Sequence, residues 1–296
     1  MSKLSVQVES YLAAVSKSYA KASLEVHRAG LKRFQSFADE RGLESVAEAT
    51  EVVFREFHSW LLFSSKLSPV TVNMRMRSVK LFLNWACCEG LTLYSAENYK
   101  LEHPQSKSPE PPSVEVMERL LELPDQRTPE GQRDQLALEL LYGLGLRRGE
   151  VCRLEVGHLS LDEETLFVVG KGGHERLLPV GLKLKSVAQN YIFNARQTLL
   201  PKLNETAFLL NDKGQPLRVN QLSYIVKKYG AQLGIKLSTH YLRHACATHL
   251  TEAGMEFEQV QQLLGHQRPS STKRYAQVTQ FEMEREFHRT HPRGRA

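Results

Sequence analysis

Several polar residues in the second half of the chain stand at structurally unusual places, and their types could take part in a reaction. Arg147 follows an apolar segment at a glycine-rich bend, and Glu150 lies three residues further on, within reach of an ion pair. His240 and Arg243 are also three residues apart, so they share one face of a helix. Each residue, taken alone, also has an ordinary explanation as a surface charge or a packed side chain. The other candidates are Lys171 at a predicted hairpin turn, His266 just past a predicted helix end, and Tyr275.

The sequence lacks the patterns of several common reaction sites. The glycines of residues 143–149 have the wrong spacing for a dinucleotide fingerprint, and residues 170–172 lack the other parts of a phosphate-binding loop. His240 and His244 are four apart, without the glutamate and the third ligand of a zinc site. No D-x-D cluster is present for Mg²⁺, so metal-dependent nuclease chemistry is not expected. The sequence therefore predicts a site with no metal and no cofactor.

Basic residues are concentrated in particular stretches of the chain. There are 39 lysines and arginines against 33 acidic residues, a net charge of only +6, so the total charge does not identify a partner. Residues 57–88 and 213–251 contain no acidic residue, and one stretch lies in each half. They are interpreted either as two surfaces facing one polyanion or as solvated helix faces, and charge alone leaves both open. Lys227 and Lys228 are predicted DNA-binding residues of the second stretch.

The first hundred residues have the periodicity of helices throughout. The fourth predicted helix is the best defined, because Ser68 suits an N-cap and Pro69 the first helical position. A second stripe on this helix is polar, basic and free of acids, so it either faces solvent or lies along a DNA groove. The apolar stripe consists of Val72, Met76, Val79 and Leu83, and the polar stripe of Asn73, Arg77, Lys80 and Asn84.

Four prolines among polar residues make 101–113 a predicted extended linker between one domain of residues 1–100 and another of residues 114–296. The second domain mixes helices and strands, so the sequence predicts a mainly helical protein with a small β-sheet in its C-terminal domain. The predicted elements are a buried helix at 133–142, strands at 165–169 and 176–180 joined by a tight turn at 170–173, and helices around 222–233, at 239–253 and up to Leu264.

Length and composition are those of a globular protein. With 296 residues, 41% of them hydrophobic and 24% charged, the chain can form one large core or two smaller ones. No apolar run is long enough to cross a bilayer, and the N-terminal residues lack the apolar core of a signal peptide, so a cytoplasmic protein is expected. The four cysteines form no C-x-x-C pair, which favours reduced thiols.

Five segments together resemble the conserved boxes of one family, in the family's order. Residues 133–151 resemble the first box of the tyrosine recombinases, the family of the phage integrases and Xer proteins. Residues 170–180 are similar to the family's catalytic hairpin, and residues 239–250 to its His-x-x-Arg-His box. Residues 261–266 and 272–275 resemble its last histidine box and the segment of its nucleophile. Any one similarity is weak, whereas five in order are specific.

The resemblance implies both the fold and the site. It implies a two-domain, C-shaped DNA clamp, with a SAM-like helical core-binding domain and an α+β catalytic domain. Glu150 matches the acidic position that supports the first arginine of the family. The sequence departs from the family at Arg148, where an uncharged residue is usual, and the Gly-Leu-Arg frame selects Arg147. The positions that map onto the catalytic set are Arg147, Lys171, His240, Arg243, His266 and Tyr275.

The implied activity is site-specific DNA recombination without metal or ATP. Tyr275 would attack a phosphodiester to form a 3′-phosphotyrosine, while Arg147 and Arg243 bind the non-bridging oxygens. Lys171 would protonate the departing 5′-oxygen, and the two histidines would hydrogen-bond the phosphate or assist the tyrosine. Attack by another strand's 5′-hydroxyl would complete the exchange, through a Holliday junction. Two alternatives stay open, a sequence-specific DNA-binding regulator without catalysis and an enzyme similar to the type IB topoisomerases.

The resemblance also implies partners. They are double-stranded DNA with an inverted-repeat target site, a homo- or hetero-tetramer on that DNA, and accessory DNA-bending or translocase proteins. No membrane partner is implied. The amphipathic residues 281–287 fit either a terminal helix that docks on a neighbouring protomer, as in the family, or a helix packed on its own domain.

Overall fold

The structure, a computed structural model, describes residues 2–19, 21–64, 67–101, 110–170, 172–200, 205–265 and 280–293. Lys171, His266, Tyr275 and residues 102–109 of the predicted linker lie outside the described residues. The chain divides into two units, residues 1–108 and residues 109–296. Within its described part, no helix combines the length and the apolar character needed to cross a membrane.

The first unit is built from helices. Its fourth helix begins as predicted, because the Ser68 hydroxyl accepts a hydrogen bond from the Thr71 amide at 3.3 Å and Pro69 occupies the first helical position. A short 3₁₀ turn at Val46–Glu48 leads into the third helix. In its described residues the α-helices are α1 (Lys3–Val15), α2 (Lys21–Arg41), α3 (Glu51–Ser64) and α4 (Pro69–Cys88).

Aromatic rings fill the core of the first unit. The Phe34 and Phe57 rings meet edge to face with centroids 5.2 Å apart, and the Phe37 ring lies 5.4 Å from that of Phe57. Such pairs add about 0.5–1.5 kcal/mol beyond the burial of their area. The predicted apolar stripe of α4 is its inner face, since all four of its residues, Val72, Met76, Val79 and Leu83, are buried.

The second unit combines helices with a small antiparallel sheet. Its three strands lie in the order β1-β2-β3, and Phe167 of β2 pairs with Leu177 of β3. A π-helical turn at Tyr191–Ala195 separates α8 from α9. The described elements are α5 (Val114–Glu122), α6 (Pro129–Tyr142), α7 (Arg148–Val151), β1 (Leu159–Ser160), β2 (Thr165–Val169), β3 (Glu175–Pro179), α8 (Leu182–Asn190), α9 (Arg196–Leu199), α10 (Val219–Gln232), α11 (Thr239–Glu252), α12 (Phe257–Leu264) and α13 (Gln280–Thr290).

Helix α6 lies at the centre of the second unit and is buried on every side from Leu136 to Tyr142. It starts four residues before the predicted helix, because the Thr128 hydroxyl caps it by accepting from the Gly131 amide at 3.0 Å. After α6 the chain turns sharply through Gly145, whose φ of +58° favours glycine. A β-carbon at residue 145 would lie 2.4 Å from a methyl carbon of Leu264, so the turn packs directly on the end of α12.

The ends of the later helices agree with the sequence. Helix α11 ends at Glu252, two residues before the glycine predicted to stop it, and α12 ends at Leu264 with Gly265 in the left-handed conformation. Strand β3 begins one residue before the predicted strand, at Glu175. The mainly helical fold with a small C-terminal sheet is confirmed.

The C-terminal helix α13 packs on the core of its own unit. Met283 and Phe287 are 3% and 1% exposed and belong to that core, where each buried side chain contributes about 1.5–3 kcal/mol. His291, just after the helix, is fully buried, and its ring stacks on that of Phe287 with centroids 5.0 Å apart. Arg293 forms an ion pair with the buried Glu139 of α6. In this single chain the segment packs on its own domain, and docking on a neighbouring protomer stays a prediction of the resemblance.

Candidate active site

Arg147 and Glu150 form the predicted ion pair at the start of α7. Arg147 is the residue that precedes the helix, and its side-chain Nη1 donates to Glu150 Oε1 at 2.9 Å. The backbone amide of Arg147 donates to the other oxygen of the same carboxylate at 3.0 Å. Because Glu150 is only 2% exposed, its carboxylate fixes the arginine from inside the protein.

The Arg147 guanidinium also reaches the C-terminal end of α12. Its Nη1 lies 3.4 Å from the carbonyl oxygen of Leu264, and its Nη2 donates to the carbonyl oxygen of Gly265 at 3.0 Å. The last carbonyls of a helix have no partner within the helix and carry partial negative charge, so a cation is favourable there. The side chain of Arg147 stays 38% exposed, which leaves it accessible to a ligand.

Arg243 approaches the same place from α11. Its Nη1 donates to the carbonyl oxygen of Gly145 and its Nη2 to that of Leu264, both at 2.6 Å. The Leu264 oxygen therefore lies against both Arg147 and Arg243, although the two arginines are far apart in sequence. Burial, and then the positive charge of Arg147, lower the pKa of the Arg243 guanidinium to about 10, so it remains a cation at neutral pH.

A third guanidinium, which was not among the predicted site residues, completes this group. Arg176 of β3 donates from Nη1 and Nη2 to the two oxygens of Glu150, at 3.2 and 2.9 Å. Its Nε donates to the carbonyl oxygen of Leu263 at 3.1 Å. The pairing of residues 150 and 176 has no local sequence pattern. The sequence carries no signal for it, because the burial of Glu150, which leaves its carboxylate in need of a second donor, is seen only in the structure.

These residues form a cluster with excess positive charge, here called the arginine cluster: Arg147, Glu150, Arg176 and Arg243. Burial alone would raise the pKa of the Glu150 carboxyl, but the hydrogen bonds and charges of Arg176 and Arg147 outweigh it and hold the pKa below its usual value. Three guanidiniums thus face one carboxylate. Among the ion pairs within the described part of the chain, none supplies Arg243 with a carboxylate, so the cluster suits an added anion.

The other predicted site residues relate to this cluster in different ways. His240 is exposed on α11, one turn before Arg243. Lys171, His266 and Tyr275 lie outside the described residues, and two of them adjoin described positions. Strands β2 and β3 flank Lys171, and Gly265, whose carbonyl Arg147 holds, directly precedes His266. The structure brings together Arg147, Glu150 and Arg243.

The predicted DNA-binding residues divide by their contacts. Arg77 and Lys227 are exposed, whereas Asn73 is half-buried. The Lys80 ammonium donates to the carbonyl oxygens of Glu97 and Tyr99, at 2.8 and 2.9 Å. Lys228 is held within its own unit, by contacts 3.4 Å from Asp134 and 3.2 Å from the Tyr229 hydroxyl.

The contacts of Lys228 belong to a second set of charges around a buried carboxylate, here called the Asp134 network. Asp134 is 1% exposed; its Oδ1 accepts from Arg133 at 2.8 and 3.0 Å, and its Oδ2 from the Tyr229 hydroxyl at 3.0 Å. Arg133 also donates to Asp212 at 2.5 Å. Positive and negative charges are equal in number here. The network consists of Arg133, Asp134, Asp212, Lys228 and Tyr229.

The described residues offer no group of three or more histidine, cysteine, aspartate or glutamate side chains that could hold a metal ion. The charge of the arginine cluster points instead to a ligand that brings its own negative charge. Planar guanidiniums at fixed positions suit the oxygens of a phosphate or a carboxylate. The arrangement can bind such an anion and stabilise the additional charge that develops when one of its bonds is broken.

Comparisons with known proteins match both units of the chain. The phage integrase family matches residues 113–282, and the N-terminal SAM-like domain of phage integrases matches residues 8–90. The tyrosine recombinase XerC of Oceanobacillus iheyensis is 32% identical over 304 aligned residues, which cover 99% of this chain and 98% of that protein.

Solved structures have the same fold. The XerH site-specific recombinase, in a post-cleavage complex with a palindromic difH substrate, is similar with a TM-score of 0.70 and 23% identity, over 88% of this chain and 78% of that one. A lambda integrase tetramer bound to a Holliday junction is similar with a TM-score of 0.67 and 15% identity, over 93% and 79%. At these identities the structural similarity concerns the fold alone.

Proposed function

This chain belongs to the tyrosine recombinase family of phage integrases and Xer proteins and is a site-specific recombinase, and from this premise we propose that it cuts and rejoins DNA through a covalent 3′-phosphotyrosine intermediate. The observation that carries the proposal is the convergence of Arg147 and Arg243 on the Leu264 carbonyl, inside a cluster with too few carboxylates. The scissile phosphate is the anion that this excess positive charge suits.

In the proposed cleavage step, the phenolic oxygen of Tyr275 attacks phosphorus while the bond to the 5′-oxygen breaks. Arg147 and Arg243 bind the non-bridging oxygens and stabilise the charge that builds up on them. Lys171 gives a proton to the departing 5′-oxygen, and His240 accepts the proton of the tyrosine or hydrogen-bonds the phosphate. His266 hydrogen-bonds the phosphate or orients the tyrosine. Glu150 touches no DNA and acts by holding Arg147.

Rejoining is the reverse reaction with a different strand. The 5′-hydroxyl of the partner duplex attacks the phosphotyrosine, the phenolic oxygen leaves, and a new phosphodiester forms. The tyrosine ester retains the free energy of the original bond, so the cycle needs neither ATP nor a metal. Exchange of one pair of strands at a time passes through a Holliday junction.

The proposal assigns a role to each part of the chain. Residues 1–100 form the DNA-binding core-binding domain, residues 101–113 the linker, and residues 114–296 the catalytic domain. The partner is double-stranded DNA with inverted repeats, bound by four protomers in the cytoplasm, with accessory DNA-bending or translocase proteins as further partners. The palindromic substrate of XerH and the tetramer of lambda integrase support this assignment. Asn73, Arg77, Lys80, Lys227 and Lys228 are the proposed DNA-binding residues.

The test is covalent capture. A duplex selected from a random library by binding to the protein is nicked beside the cleavage position, so that cleavage releases a short strand and traps the phosphotyrosine. The wild-type protein is expected to form an adduct that survives denaturation. Tyr275→Phe is expected to form none while binding the same duplex with unchanged affinity, because it lacks only the nucleophilic oxygen.

The matched control is Tyr224→Phe, since Tyr224 is an exposed tyrosine of the same unit. This variant keeps the adduct. An adduct formed by Tyr275→Phe would refute the assignment of the nucleophile. Specific binding by the wild-type protein without any adduct would support the regulator, and relaxation of plasmids that lack the selected site would support the topoisomerase-like enzyme.

A further inference from the structure

Arg176 joins three parts of the arginine cluster that are distant in sequence. It stands on β3, a strand of the hairpin that carries Lys171, and its guanidinium bonds to Glu150 of α7. Its Nε bonds to the Leu263 carbonyl at the end of α12, two residues before Gly265. The side chain is 13% exposed, so these bonds form in a largely dehydrated environment, where charged hydrogen bonds are strong.

The bonds of Arg176 determine how Glu150 can hold Arg147. Glu150 Oε1 accepts from Nη1 of both arginines, and Oε2 accepts from Nη2 of Arg176 and from the backbone amide of Arg147. The four acceptor positions of the carboxylate are therefore occupied, two of them by Arg176. With Arg176 removed, the carboxylate could rotate, and the Arg147 guanidinium would lose its fixed position relative to the Leu264 carbonyl.

The Arg176 guanidinium packs closely against the backbone of Gly265. Gly265 has a φ of +67°, and a β-carbon there would lie 3.1 Å from Nη1 and 3.2 Å from Cζ of Arg176. A side chain at residue 265 would therefore press on the guanidinium. The glycine that ends α12 also makes room for the arginine that holds this end of the helix.

We propose that Arg176 is a positioning residue for the cleavage reaction, which orients Arg147 through Glu150. The proposal rests on the proposed function. Arg176 touches no reacting atom, and it acts by fixing the geometry of groups that do.

A purely structural arginine makes a different pattern of contacts, and the same unit contains one. Arg196 is 6% exposed and donates to the carbonyl oxygens of Glu205 and Ala207. Its hydrogen bonds reach none of the residues of the arginine cluster. Arg196→Gln therefore serves as the control for lost folding stability, and Arg153→Gln, at an exposed position, as the control for lost charge alone.

The experiment measures single-turnover cleavage of the nicked, selected duplex by Arg176→Gln, Arg176→Lys and the two controls, together with the folded fraction of each. Arg176→Gln is expected to lose about 10- to 100-fold in the cleavage rate of the folded protein, with unchanged affinity for the duplex, as is typical when a supporting partner of an active group is removed. Arg176→Lys keeps the charge but cannot bond to both oxygens of Glu150 and the Leu263 carbonyl with one planar fork, so it recovers only part of the rate.

A second substrate separates positioning from folding. In a duplex with a methylphosphonate at the cleavage position, a methyl group replaces one charged non-bridging oxygen, so the reaction depends less on a well-placed arginine. The rate deficit of Arg176→Gln is expected to shrink on this substrate. A structural loss such as that of Arg196→Gln changes only the amount of active protein, so the cleavage rate of the folded protein stays the same on both substrates.

A double variant tests the route through Arg147. If Arg176 acts through Arg147, then Arg147→Gln/Arg176→Gln cleaves the normal duplex within about twofold of the rate of Arg147→Gln alone. Multiplication of the two losses, or an equal deficit of Arg176→Gln on both substrates, would overturn the inference and leave the proposed function intact. If the wild-type protein forms no adduct with either duplex, the proposed function fails, and the inference fails with it.

Discussion

Two groups of charges in the second unit are each built around a buried carboxylate, and they differ in their balance. The Asp134 network has as many carboxylates as cations, and its members bond to one another: Arg133, Asp134, Asp212, Lys228 and Tyr229. The arginine cluster sets three guanidiniums against Glu150 alone, and its surplus donors bond to the carbonyls of residues 145 and 263–265.

The difference separates a charge group that stabilises the fold from one that, in the proposed function, binds the phosphate. Burying a charge costs free energy that a partner of opposite sign must offset, so a balanced network is stable without a ligand. Neutral carbonyls offset that cost only in part, as the lowered pKa of Arg243 indicates. The arginine cluster is therefore kept at some expense of stability, which an arriving phosphate would relieve.

The strongest test of the comparison removes one cation from the arginine cluster. Arg243→Gln is expected to lower the cleavage rate on the order of 10²–10³-fold, because the phosphate loses a charged donor. The free energy of unfolding should change by less than about 1 kcal/mol, since relief from the charge of Arg147 offsets the lost hydrogen bonds to carbonyls. Single-turnover cleavage and urea unfolding measure the two effects. A large loss of stability with normal cleavage would reverse the assignment.

The converse change removes the central carboxylate of the Asp134 network. Asp134→Asn leaves Arg133 buried with a weaker partner, so the free energy of unfolding is expected to fall by about 3 kcal/mol. The cleavage rate of the folded fraction should stay the same. Urea unfolding is the measurement, with Asp212→Asn as the matched control, because the Asp212 side chain is 69% exposed and its ion pair should contribute less than about 1 kcal/mol. Equal losses for the two variants would contradict this account.

The smallest expected effect comes from lowering the pH, which favours a positive charge on the histidines that are buried where α13 packs on the core. Burial lowers the pKa of His291 to about 3, and burial also lowers the pKa of the neighbouring His249. Below about pH 6.5 the unfolded chain binds protons that the folded chain does not, so acidification destabilises the fold. Between pH 7.5 and 5.5 the free energy of unfolding should fall by at most about 1.4 kcal/mol per pH unit for each such histidine.

His291→Phe is expected to reduce this pH dependence and to leave the part due to His249. The control is His174→Gln, at an exposed position, which should keep the full slope. Urea unfolding at a series of pH values measures the slopes. Equal slopes for the wild type and His291→Phe would mean that an isolated positive charge is tolerated next to Tyr142 and Arg293. The rule that an unbalanced buried charge destabilises the fold would then not hold at this position.

Much of the fold follows from local rules in the sequence. Ser68 and Pro69 mark the start of α4, and Gly265 marks the end of α12, because these residues suit helix ends through their own chemistry. The π-helical turn at Tyr191–Ala195 and the early start of α6 were not predicted. The start of α6 was missed although its signal is local, because Thr128 and Pro129 suit an N-cap and a first helical position just as Ser68 and Pro69 do. The π-helical turn has no comparable local pattern.

The contacts of the candidate site also divide into local ones, which the sequence predicts, and tertiary ones, which it does not. The pair of Arg147 and Glu150 was predictable, because residues three apart at a helix start meet whatever the rest of the fold does. The contact of Arg176 with Glu150, and the meeting of Arg147 and Arg243 at the Leu264 carbonyl, join residues far apart in the chain. Such contacts are set by the tertiary arrangement of strands and helices. The family resemblance pointed to the two arginines, and no pattern pointed to the carbonyls they hold.

Because Gly145 packs closely on Leu264, substitutions at these two positions should depend on each other. A β-carbon at 145 would overlap a methyl of Leu264 and approach the Cys246 sulphur to 3.1 Å, and the left-handed backbone adds its own penalty. Among descendants of this gene, any side chain at 145 should thus be accompanied by a shorter residue at 264. Lineages that keep leucine at 264 should also keep glycine at 145.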